Sequence, residues 1–341
     1  MRILIVRLDG IGDALACTPL VAALRDADHS LGIALTTRNA SIFARETFAW
    51  THVLARNPWP KHGHARADVE RTMAECRAIG YDCALVASEE VDAYSLARAC
   101  ARRRVGFVNA WEKPLKTLLV RRLLDRALTR PASAARAKEH EVVTLFRLGD
   151  GLHAESGPTR DPRRLAPLVV DAVTFDLAAR RSSGPYLAVQ LTPKWAALGI
   201  THERLAGIVR GLRARAPIRV LCSEAESAQL HAIAGVLESD VAGIDGTVFS
   251  GEEGMRAWKR AIADAAVLIS PDTGASNLAG MIGTPCVAVF PSGRLGAARM
   301  RRWAPWAGPS VAIQLNQLDQ PDDAAIVGAA GELYDRTCAH S

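Results

Sequence analysis

The stretch "AVLISPDTGASNLAGMIGTPCVAVF", residues 266–290, holds two aliphatic runs joined by a short helical pattern. The first run, 266–270, ends at Ser270; a turn of Pro271, Asp272, Thr273 and Gly274 follows, then a helical pattern over 275–283. Pro285 then opens the second run at 286–290. Runs apolar at every position, with no polar alternation, are those of strands covered on both faces. A helix between two such strands is the crossover that a parallel sheet requires.

The same alternation extends through all 341 residues. Candidate strands in the first half are 2–6, 32–36, 82–87 and 104–108; in the second they are 186–191, 218–223, 266–270 and 286–290. Helical patterns lie at 13–27, 67–79, 137–149, 203–215, 225–238 and 275–283. Between the two series, "SGPTRDPRRLAP" (156–167) is rich in Pro and Arg without periodicity, and with the residues to about 184 it reads as a linker region. The expected architecture is α/β: two Rossmann-like domains facing one another across a cleft, 1–168 and 169–341. The final helix could also pack back on the first domain.

Hydrophobic residues at 49% and charged residues at 23% are the proportions of a globular chain. Arg7 and Asp9 interrupt the opening apolar run, too early for a membrane span or a signal peptide. Seven cysteines, odd in number and without C-x-x-C spacing, point to reduced core thiols and a cytoplasmic protein. The net charge of +6 is lopsided: residues 1–170 carry 26 Lys and Arg against 19 Asp and Glu, the remainder 16 against 17. Nucleic acid is one partner such charge could serve, but with 5% aromatic residues and no recognisable nucleic-acid motif an anionic membrane surface or a phosphorylated acceptor fits at least as well.

Two strand ends carry the chemistry. After 266–270, helix N-terminal N–H groups would point beyond the strand and form an anion site. Thr273 and Ser276 would add hydroxyl donors, and Gly274 would let a phosphate approach; a plain helix cap at Asp272 or Thr273 explains the same residues. After the first strand, "RLDGIGDALACTPLVAAL" (7–24) sets Gly10, Gly12 and Asp13 at the turn. Glycines there suit a phosphate loop, but an acid repels phosphate. Asp13 therefore faces a different substrate, or is simply an acid favoured at a helix start.

Four segments in order resemble the heptosyltransferases, glycosyltransferase family 9: the opening strand–turn–helix, "HEVVTLFRLGDGL" (140–152), "LTPKWAALGITHERLAGIV" (191–209) and the 266–290 signature. The resemblance implies a GT-B fold and an inverting, metal-free transferase that uses no cofactor. A heptose-like sugar would pass from a nucleotide diphosphate, ADP-heptose first, to an anionic lipid-linked glycan of lipopolysaccharide type. It makes Asp13 the general base and Lys194 the partner of the departing phosphates. Gly10 and Gly12 would leave room for a bulky acceptor. Thr192, Glu224, Asp272, Thr273, Gly274, Ser276 and Asn277 would bind substrate, Glu224 at the nucleoside. Asn277 stands where many relatives carry histidine; it can hydrogen-bond but cannot carry a proton.

Residues 98–130 contain ten Lys and Arg and two acids. Within them, 112–128 reads as a leucine-spaced helix, packed on its own domain with a basic outer face or lying on anionic lipid as a peripheral contact with the inner membrane. Two rival readings remain. An NADP-dependent oxidoreductase would use the partial glycine pattern Gly10-Ile11-Gly12, broken by Leu15; a non-catalytic sugar-nucleotide binder would need neither Asp13 nor Lys194.

Overall fold

The computed structural model describes residues 1–55, 65–133, 136–171, 184–226, 228, 244–249, 251–315 and 322–339. They form two compact units, Met1–Thr159 and Arg160–Ser341.

The first unit is a six-stranded parallel sheet of β1 (Arg2–Val6), β2 (Ser30–Thr36), β3 (Trp50–Leu54), β4 (Tyr81–Val86), β5 (Ala101–Val108) and β6 (Arg126–Thr129). Its spatial order is β3-β2-β1-β4-β5-β6. The helices are α1 (Ile11–Leu15), α2 (Thr18–Asp26), α3 (Arg66–Ile79), α4 (Val91–Cys100), α5 (Pro114–Arg121) and α6 (Glu141–Phe146). Ile3, Leu4, Ile5 and Val6 of β1 are wholly buried, as a central strand covered on both faces must be. Leu4, Val6, Val86, Tyr94 and Leu96 share one core with Val120 of α5.

The second unit repeats the plan. Its strands are β7 (Leu187–Gln190), β8 (Ile218–Ser223), β9 (Ile244–Phe249), β10 (Val267–Pro271), β11 (Cys286–Phe290) and β12 (Ser310–Gln314), in the order β12-β11-β10-β7-β8-β9. The helices are α7 (Pro162–Val169), α8 (Lys194–Ala197), α9 (His202–Arg213), α10 (Gly251–Asp264), α11 (Gly274–Ile282), α12 (Gly293–Trp303) and α13 (Asp322–Ala339). Gly283, with φ +77°, ends α11 in the left-handed conformation that a side chain would strain, and so turns the chain into β11. The terminal helix, which the sequence left free to cross back to the first domain, contributes Ile326, Ala330 and Leu333 to the second unit's core.

In both sheets the strand order reverses beside the first strand, between β1 and β4 and between β7 and β10. Such reversals leave a crevice at the carboxyl ends of the two strands, where ligands of doubly wound sheets bind.

Three sequence expectations need correction. The helix expected over 13–27 is two, α1 and α2. Pro19 has no N–H to continue the ladder, and the Thr18 hydroxyl donates to the Leu15 carbonyl at 2.7 Å. The linker read over 156–167 contains α7, capped by Asp161 accepting the Arg163 N–H at 3.0 Å. It buries Leu165, Ala166, Leu168 and Val169 and packs on α11. The helix read over 112–128 stops at Arg121, and the chain turns into edge strand β6. The helical pattern at 225–238 falls mostly outside the described residues. Among the described residues no helix is long and apolar enough to cross a membrane, and none of the seven cysteines forms a disulfide.

Candidate functional site

At the β1/β4 reversal the central group is Arg7, which the sequence reading quoted without giving it a role. Its side chain is 2% exposed, yet it is an arginine at the end of an otherwise apolar strand. Its Nε donates to the Asp13 carbonyl at 3.0 Å and one terminal nitrogen to Asp13 Oδ1 at 2.8 Å. The other terminal nitrogen donates to the Ala87 carbonyl beyond β4 and lies 3.5 Å from Asp9 Oδ2. Glu141 at the start of α6, 1% exposed, stands 3.7 Å from Arg7 and 2.9 Å from Arg130. Burial opposes the Arg7 charge, but Asp9, Asp13 and Glu141 outweigh it and hold the pKa above the ordinary arginine value. Asp9 is affected in the opposite sense: burial raises its pKa, Asp13 and Glu90 add to this, and Arg7 and Ser88 resist it.

Asp13 is therefore gripped from two sides. Its Oδ1 faces Arg7, and its Oδ2 accepts the Gly10 N–H at 3.1 Å in a capping arrangement. Even so the side chain is 34% exposed: an oriented carboxylate within reach of solvent. The structure gives Gly10 a different reason from loop flexibility. Its backbone is extended, with φ −82° and ψ 177°, and neither it nor Gly12 has a positive φ. A Cβ on Gly10 would instead stand 3.2 Å from Asp13 Oδ2 and crowd the carboxylate.

The same geometry bears on the oxidoreductase reading. A dinucleotide places its pyrophosphate on the N–H groups of this turn. Here a carboxylate already covers the Gly10 N–H, and charge repulsion would exclude the pyrophosphate.

The β7/β10 reversal is built differently. Thr192 follows β7, and its hydroxyl oxygen accepts the Lys194 N–H at 3.4 Å. The exposed Lys194 side chain reaches the end of β10 and donates to the Asp272 carbonyl. The Asp272 carboxylate is nearly buried and lies 3.5 Å from Arg299 of α12, an arginine that the sequence reading did not single out. Its signal was available: α12 opens directly after β11, as α11 does after β10.

The anion turn expected at 271–277 is present, but much of it is satisfied internally. Thr273 caps α11, its oxygen accepting the Ala275 N–H at 3.2 Å, and Ser276 accepts the Thr273 N–H at 3.2 Å. Asn277 is turned back to the Thr273 carbonyl at 2.9 Å. The Ser276 and Asn277 side chains thus brace the turn, and the Gly274 N–H lies at the head of the helix. Glu224 is exposed just past β8, the neighbour of β7 on the side away from β10.

No protein-family model matches the chain, and no curated protein matches it in sequence. Solved structures do match. A glycosyl transferase family 9 protein from Veillonella parvula superposes with a TM-score of 0.73 at 12% identity, covering 98% of this chain and 97% of that one. E. coli ADP-heptose lps heptosyltransferase II gives 0.72 at 13%, covering 98% and 99%. E. coli heptosyltransferase WaaC with ADP gives 0.70 at 16%, covering 99% and 100%. The fold is GT-B. The GT-B match runs through both units, so the resemblance read from four sequence segments holds at the level of the whole fold.

Proposed function

We propose that the chain is an inverting, metal-independent glycosyltransferase of the heptosyltransferase kind, taking a heptose-like sugar from a nucleotide diphosphate, ADP-heptose first. The acceptor would be a hydroxyl of an anionic, lipid-linked glycan such as a lipopolysaccharide core, with the reaction in the cytoplasm. The observation that carries this reading is the contrast between two equivalent positions. One switch point presents an aligned, accessible carboxylate; the other presents a lysine beside a helix N-terminus.

In this reading the second unit takes the sugar nucleotide. Lys194, Thr192 and the turn of Asp272, Thr273, Gly274, Ser276 and Asn277 would hold the diphosphate, with Glu224 toward the ribose. The first unit takes the acceptor, and Gly10 and Gly12 keep the floor of the turn low beside Asp13. Asp13 would accept the hydroxyl proton as that oxygen bonds to the anomeric carbon. The bond from that carbon to the diphosphate oxygen breaks on the opposite face, and Lys194 meets the charge gathering on the leaving group. One displacement from the opposite face inverts the centre. Arg7 serves by orientation: it fixes the carboxylate and remains protonated throughout.

The direct test is a panel of sugar nucleotides scored by thermal protection, followed by transfer to a lipopolysaccharide-type acceptor. ADP-heptose protection lost in Lys194→Met and transfer lost in Asp13→Asn would support the assignment. Protection by NADPH and by no sugar nucleotide would overturn it. Protection by a sugar nucleotide with no transfer by the wild type would favour a non-catalytic binder.

A further inference from the structure

Helix α5 is inside out. Leu115, Leu118 and Leu119, at the i, i+3, i+4 spacing that normally faces a core, are exposed by 78%, 55% and 64%; Trp111, one turn earlier, is 93% exposed. The inward positions are Thr117, whose hydroxyl donates to the Ala110 carbonyl at 3.0 Å, and Val120, which enters the core. Isolated exposed leucines need no explanation, but three leucines and a tryptophan within nine residues form a patch that a free surface would not favour.

The charges around this patch have one sign. Residues 113–124 contain Lys113, Lys116, Arg121 and Arg122 and no acid. The two flanking acids are already engaged: Glu112 with the Ala132 and Ser133 N–H groups and Arg136, Asp125 with Arg104. Arg102 and Arg103 are exposed at the start of β5, the strand that precedes this segment. Apolar side chains of interfacial type beside the exposed Arg121 and Arg122 match the acyl boundary and headgroups of an anionic bilayer. They match a protein partner only if that partner is itself acidic and apolar.

We propose that the Trp111–Leu119 edge of the first unit inserts into an anionic lipid surface, with Arg121 and Arg122 on the headgroups. The far side of the same segment is tied to the β1/β4 switch point. Lys113 and Lys116 each lie 3.7 Å from Glu89, which follows β4 by three residues. On the glycosyltransferase reading, a lipid-anchored acceptor would then be offered next to Asp13.

The test is co-sedimentation of the full chain with phosphatidylcholine vesicles and with vesicles containing phosphatidylglycerol, without any sugar nucleotide, so that its outcome is independent of the transferase assignment. The wild type should bind the anionic vesicles at low salt and release at high salt. Trp111→Ser/Leu115→Ser/Leu118→Ser should lower binding by about tenfold or more at unchanged thermal stability, and Arg121→Gln/Arg122→Gln by a smaller, salt-sensitive factor. No binding by the wild type at low salt, or equal binding by the serine variant, overturns the proposal. So does a concentration-dependent wild-type dimer that the serine variant abolishes without any vesicle binding, since the patch would then belong to a second copy.

Discussion

The two sheets share one strand order and put their first crossover at the same place, but what they hold there is opposite. Beside β1, a buried arginine gathers Asp9, Asp13 and Glu141 and leaves the Asp13 carboxylate the most exposed of the three. Beside β7, a lysine and a capped helix N-terminus leave the local charge positive. Topology therefore decides where a ligand can lie, and a handful of charged side chains decides which one. A phosphate would be repelled from the first crevice and attracted by the second.

The largest expected effect tests the carboxylate. Asp13→Asn keeps the size and the Gly10 contact but removes the base, and kcat for sugar transfer should fall by about 10²- to 10⁴-fold while unfolding changes little. Near wild-type kcat in the folded variant would remove Asp13 from the chemistry and with it the contrast between the crevices. The second effect tests what holds that carboxylate. Arg7→Met leaves the buried Glu141 and the partly buried Asp9 with one cation fewer, and breaking such a cluster should cost about 3–5 kcal/mol in denaturant unfolding. A loss below about 1 kcal/mol would mean that the cluster is looser than its geometry.

Much of this was legible in sequence, and for physical reasons. The central strands carry long apolar runs because both faces are covered, and all eight expected strands lie in the inner four of each sheet. The edge strands β3, β6, β9 and β12 were missed. Trp50–Leu54 and Arg126–Thr129 mix polar and apolar residues, as edges exposed to water do. Helix α7 was hidden by its two prolines, Pro162 and Pro167, and its paired arginines, Arg163 and Arg164, although Asp161-Pro162 is a sound start signal. Candidate residues next to a strand end were found, and their partners were not. Glu141 meets Arg7, and Arg299 meets Asp272, through the fold, which no local spacing encodes, whereas Arg7 and Asp13 lie only six residues apart.

The contrast extends to buried cations. Arg7 is ringed by carboxylates and its pKa rises; Lys259 of α10 is buried with the Val169 carbonyl at 2.7 Å, and its pKa falls to about 8. Burial is the leading cause, which Asp171 only partly offsets. A lysine whose folded pKa lies below its unfolded value of 10.5 penalises the fold at all pH values below about 8. The penalty fades as pH rises from about 8 to 10.5. Relative to Lys259→Met, the wild type should therefore gain stability across that window, by up to about 3 kcal/mol. Parallel pH profiles for the two proteins would show that the ammonium is better solvated than its burial indicates.

The smallest effect separates bracing from binding in the second crevice. Thr273 caps α11, and removing that oxygen in Thr273→Ala should cost about 1 kcal/mol of stability, with Thr273→Ser restoring it. If the hydroxyl only caps the helix, affinity for the sugar nucleotide should follow the stability of the turn and recover fully in the serine variant. If it also donates to the diphosphate, calorimetric titration of the alanine variant should show a loss of affinity that persists where the protein is fully folded, well below its unfolding temperature. An alanine variant with unchanged stability would show instead that the Ser276 side of the capping box holds the turn alone, and that the positive end of α11 needs no help from Thr273 to meet an anion.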